Sequence, residues 1–169
     1  MNTLIIVLRL IHVIGGMFWL GSTLLMVLFI LPSVHATIES GQKFLAHLLT
    51  KTHYGRMLGA SVILTMLAGA SLYWIDSAGF TSGWTRSGPG WGFGIGGTLG
   101  VIAFIFGNRF GNNVMLLGMT AAKIEGEPTS EQKAIMDAAQ QPLGLLGVIS
   151  TVTLLLALIC MATARYWRF

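Results

Sequence analysis

The sequence predicts an all-α integral membrane protein: a bundle of four transmembrane helices with a short amphipathic interfacial helix between spans one and two. Three observations predict it. Four apolar segments, at about 4–31, 54–75, 92–119 and 142–163, are each long enough to cross a hydrocarbon core that takes about 20 helical residues. Only 9% of the 169 residues are charged. An ordinary soluble domain carries about 25%, so lipid must cover much of this surface. Glycines recur at four-residue spacing, which lets helices approach where no hydrophobic effect draws them together. The length suits a single four-span domain over 1–169.

The first span ends at Pro32. Its start lacks a charged leader region and a small-residue cleavage site, so it reads as a retained span rather than a signal peptide. Residues 33–53 are mixed and polar, with Phe44, Leu45, Leu48 and Leu49 as a helical stripe. Such a stripe predicts an amphipathic helix at the membrane surface. After span two comes a loop rich in Gly, Ser and Trp. Trp74, Trp84 and Trp91 flank it, a residue type that favours the headgroup level. Gly92, Gly96 and Gly100 line span three, followed by Gly107 and Gly111, while span two offers Gly55 and Gly59. The run Gly92-Phe93-Gly94-Ile95-Gly96-Gly97 spells a dinucleotide-type pattern, but no strand precedes it, so packing is its expected role. Thr129 or Ser130, followed by Glu131, marks a helix start ahead of span four.

Four spans put both ends of the chain and the Trp-rich loop on one face, A, and the two polar loops on the other, B. Face B carries Lys43, Lys51, Arg56, Lys123 and Lys133, and face A carries Arg86, Arg165 and Arg168. The excess of basic residues places face B in the cytoplasm and both termini in the periplasm. The net charge of +4 is scattered, which suits interfacial anchoring rather than nucleic-acid binding. With Cys160 as the single cysteine, no internal disulfide can form.

Chemistry is expected where polar groups sit in oil. Arg9 and His12 lie one turn apart on the same side of span one, with Gly16 one turn deeper. An ionisable group at such depth is costly and marks a functional site by default. Met66 on span two, and Asn108 and Arg109 on span three, are expected at a similar depth, so these residues are expected to meet inside the bundle. An imidazole is a common axial ligand of haem iron. His12 is therefore the candidate ligand of a haem b, with Arg9 paired to its propionates and Asn108 and Arg109 lining the distal pocket; the iron is five-coordinate or takes Met66 or a side-chain amide on the far side. His53 lies about 25 Å from His12 along the membrane normal, too far to share one iron.

A second constellation lies on face B. His53 and Met57 share one face at the start of span two, and Met115 and Met119 share one at the matching end of span three. Imidazole and thioether are soft enough for copper(I), so copper is the alternative cofactor. Signatures of soluble enzymes are absent: there is no P-loop, nucleophile elbow or Cys-x-x-Cys pair.

The segment Leu10-Ile11-His12-Val13-Ile14-Gly15-Gly16-Met17-Phe18-Trp19-Leu20-Gly21, closing at Leu31-Pro32, resembles the opening helix of bacterial membrane proteins related to the copper-resistance D domain. It is also similar to the opening helix of the small membrane protoporphyrinogen oxidases. The resemblance implies a four-helix membrane unit in the bacterial inner membrane, with His12 at the position of a haem b ligand. That oxidase group uses a lysine in its third span, where the nearest basic residue here is Arg109, which does not titrate as lysine does.

Three functions are expected to compete: haem-based electron transfer or porphyrin redox chemistry, copper transport or chaperoning, and a cofactor-free subunit of a larger membrane complex. The partners that go with them are the lipid bilayer, a quinone or a redox protein, and a second copy of the chain.

Overall fold

The computed structural model describes residues 3–169. Within them the chain is helical, with no strand. The helices are α1 (Thr3–Leu25), α2 (Leu31–Thr37), α3 (Glu39–Lys51), α4 (Tyr54–Asp76), α5 (Gly88–Ala121), α6 (Ser130–Gln140) and α7 (Leu143–Thr163). A π-helical turn, Met26–Ile30, joins α1 to α2, and short 3-10 turns occupy Gly83–Arg86 and Ala164–Tyr166. Four helical stretches are long and apolar enough to cross a membrane: Thr3–Thr37, Tyr54–Asp76, Gly88–Ala121 and Ser130–Tyr166. By length and composition this is a multi-pass membrane protein.

Span one does not stop at Pro32. A proline has no N–H and its ring crowds the carbonyl four residues back, which normally breaks a helix. Here the ladder widens instead: the Leu31 N–H bonds to the Met26 carbonyl, five residues away, and α2 starts with Pro32 in its first turn. A missing N–H costs nothing at that position. The continuous helix then reverses at Ile38, whose φ of 44° is unusual for a β-branched residue. Gly41 makes the reversal possible, because a Cβ there would stand 2.6 Å from the Val34 Cα.

The stripe expected on α3 is present with a rotated face. Leu45, Ala46 and Leu49 are buried against α2 and α5, whereas Phe44 is 55% exposed. At α6 the anticipated start carries a full capping box: the Thr129 hydroxyl accepts from the Gln132 backbone N–H, and the Gln132 side chain accepts from the Thr129 N–H.

The helices associate as two antiparallel pairs, α1 with α4 and α5 with α7, joined along α1–α7 and α4–α5. The α5–α7 seam runs on small residues. A Cβ at Gly92 would meet Ala164, one at Gly96 would meet Met161, and one at Gly107 would stand 2.9 Å from the Ser150 hydroxyl. Gly100 and Gly111 of the same series have open space, as does Gly59 on α4.

At 34 residues α5 is about 51 Å long, well beyond the roughly 30 Å hydrocarbon core. The surplus is used at face B. There Met26, Leu31, Val34, Leu45, Leu49, Phe110 and Val114 share one buried core with Ala139 and Leu143, drawn from six helical elements. A smaller cluster around Trp19, Ala103 and Leu154 lies nearer the middle of the bundle.

Candidate functional site

His12 sits against α4 in a notch. A Cβ at Gly69 would stand 2.7 Å from the imidazole Cε1 and 2.8 Å from Nδ1, so only glycine leaves room for the ring. Two glycines of α1 adjoin the notch. Gly15 faces the Thr65 side chain and the Ser61 carbonyl, and Gly16 faces the Thr65 methyl.

The imidazole is also oriented. Its Nδ1 lies 2.8 Å from the Thr65 backbone carbonyl oxygen. A carbonyl can only accept, so Nδ1 carries the proton and donates. In the neutral ring, Nε2 is then left with a free lone pair. A histidine that binds a metal typically donates its other ring N–H to a carbonyl or carboxylate, which fixes the tautomer and raises the basicity of the ligating nitrogen. The donor set therefore fits an axial ligand of haem. Beside it, the Thr65 hydroxyl is buried with no hydrogen-bond partner. An orphaned hydroxyl in a membrane interior costs free energy unless water or a ligand satisfies it.

Arg9, one turn toward face A, is exposed. Its long stem lets the guanidinium reach the headgroup region while the backbone stays in oil. Arg86 and Arg165 are exposed on the same face. Met66 is half-buried and packs into the mid-bundle cluster with Trp19, Ala103 and Leu154. Asn108 and Arg109 are exposed, and the Arg109 carbonyl accepts from the Asn113 amide at 2.8 Å. Counted from Gly88, Asn108 is twenty residues into α5, about 30 Å from its face-A end, whereas His12 is about 14 Å from the start of α1. The structure thus brings His12 together with Gly16, Thr65 and Gly69, and leaves Asn108 and Arg109 elsewhere.

Thr65 and Gly69 escaped the sequence reading. The available signal was the run Ala68-Gly69-Ala70, small enough to admit a neighbour's side chain. The four-residue glycine spacing on α4 instead picks out Gly55 and Gly59, of which Gly59 has open space and Gly55 faces only the Met115 methyl.

On face B, His53 precedes α4 and is exposed, as are Met57 and Met119, while Met115 is half-buried. His47 is exposed. His35 Nε2 lies 2.7 Å from the Gln140 amide nitrogen. Among the described residues no three His, Cys, Asp or Glu side chains cluster closely enough to hold a metal ion.

No protein family, curated protein or solved structure matches the chain.

Proposed function

We propose that the protein is a haem b-binding membrane protein for electron transfer or porphyrin redox chemistry, with His12 as the residue that would hold the iron through Nε2. One observation carries this reading: an imidazole set in an apolar helix, seated in a glycine notch, with its Nδ1–H committed to the Thr65 carbonyl. Arg9, Arg86 and Arg165 are the cations of face A available to carboxylates of the bound group. Such pairing would offset the cost of keeping Arg9 in span one. Bound haem would supply a one-electron iron couple. What the chain supplies is the fixed ring and the arginines of the same membrane face.

The setting we propose is a bacterial cytoplasmic membrane, with face A periplasmic and α3 lying at the interface of face B. Purification after haem-replete expression tests the reading through the absorption spectrum. The expected result is a Soret band that His12→Ala abolishes. No band in the parent protein, or an unchanged band in His12→Ala, would falsify it.

A further inference from the structure

The geometry points to a seat for a lipid-soluble quinone in the groove between α4 and α5 at the face-A end. The groove holds about 440 Å³ and is lined by Tyr73, Thr85, Gly90, Trp91, Gly94 and Ile95, among others. The groove is open on its outer side, where the bilayer would close it. Trp91 and Ile95 are 55% and 39% exposed on a helix expected to face lipid, so a ligand would enter from the membrane.

The lining chemistry narrows the ligand. No charged side chain lines the groove, so the ligand is neutral. Two hydroxyls there are weakly engaged: Tyr73 Oη donates to the Gly90 carbonyl at 3.3 Å, and Thr85 Oγ1 to the Ser82 carbonyl at 3.4 Å. Good O–H···O bonds are about 2.5–3.0 Å, so either donor is free to turn to a better acceptor. The Tyr73 ring is held from behind by Trp84, at 5.3 Å edge-on, and by Phe80, at 5.9 Å. Gly94 presents bare backbone, and a Cβ there would stand 3.2 Å from Tyr73 Oη. The site thus offers an apolar slot, an indole wall and hydroxyl donors. A lipophilic ring bearing carbonyl acceptors and no charge is the matching ligand, and a quinone is that molecule.

The groove and the His12 notch both draw on α4. Tyr73 lies four residues beyond Gly69 on α4, on a neighbouring part of the same face and about 6 Å along the axis from the His12 notch. The role of the quinone as electron partner rests on the haem reading above, whereas its seat does not.

Tryptophan fluorescence of the detergent-purified, full-length protein tests the seat, with a short-tailed alkyl benzoquinone as probe. Saturable quenching is expected. Gly94→Leu should weaken it about tenfold or more by filling the slot. Tyr73→Phe, which keeps the ring and the packing, should weaken it about fivefold through one lost hydrogen bond. An alkylbenzene with the same tail should not compete. Quenching that does not saturate, that survives both substitutions unchanged, or that the alkylbenzene displaces equally overturns the proposal. His12→Ala separates the two readings: quenching should persist in that variant even though its Soret band is lost. A parent protein with the Soret band but no saturable quenching sinks the quinone seat alone.

Discussion

At the scale of the residue, His12 is defined by what α4 lacks. Gly69 has no Cβ, and the imidazole occupies that space while bonding to the Thr65 carbonyl. Gly69→Val would push the ring out of the notch and break that bond. We expect a loss of about 1–3 kcal/mol in stability from the overpacking, and, in the pigmented protein, a shifted or missing Soret band. Thermal unfolding in detergent and the absorption spectrum read the two effects separately; a Gly69→Val protein matching the parent in both would refute the notch. His12, Arg9 and Gly16 were legible in the sequence because a charge and an imidazole in an apolar run are conspicuous. Thr65 was not, because it contributes a backbone carbonyl, and every residue type carries one.

At the scale of the element, small residues matter only where a neighbour presses on them. Gly96 faces Met161 and the Ala157 carbonyl, whereas Gly59 has open space. Gly96→Leu should separate α5 from α7 and cost about 1–3 kcal/mol or more. Gly59→Ala should be neutral or stabilise by about 0.4–1 kcal/mol, since it only reduces the freedom of the unfolded chain. Denaturant titration of the two variants in one detergent compares them, and equal effects would contradict the assigned seam. The four-residue spacing announced that close approaches exist, but it could not tell Gly96 from Gly59, because the partner helix decides. At the start of α3, Lys43 donates to the Glu39 carboxylate at 2.6 Å and, by that bond and its charge, holds the Glu39 pKa below the ordinary glutamate value of 4.5. The lowered value means that the pair's contribution is present above pH 4.5 and is lost as pH falls through the folded-state pKa. Both groups are exposed, so the contribution is small. An NMR titration should place the Glu39 midpoint below 4.5, and Lys43→Met should return it to the ordinary range.

At the scale of the whole molecule, α5 alone separates the Trp-rich loop from the α5–α6 loop, and it is long and apolar enough to cross a membrane. A cysteine at Ser82, in the Trp-rich loop, and one at Gly126, in the α5–α6 loop, should therefore react with an impermeant thiol reagent from opposite sides of a sealed vesicle, in a Cys160→Ala background. Reaction of both from the same side would contradict a crossing by α5. The spans were readable because hydropathy and length set them directly. Their true ends were not: α5 begins four residues before the expected 92 and ends two past 119, and the helix of span one continues to Thr37. The extension of span one is held by the face-B core, and the early start of α5 by Ala164 and Trp167, contacts that join residues far apart in the chain. The earlier start of α5 adds about 6 Å to the depth of Asn108, which already lay beyond His12 on the expected bounds.

The wide turn at Met26–Ile30 gives this bundle a phase adjustment. Each residue of an α-helix rotates the next by about 100°, so losing one residue anywhere in α1 would swing Leu31 and Val34 away from the core they now enter. Within the wide turn the ladder already spans five residues rather than four. One residue can be removed there, together with Pro32→Ala to restore the missing N–H, while both halves keep their inward sides aligned. Span one therefore has a single stretch of slack, and it lies between the half that carries the imidazole and the half that anchors the face-B core.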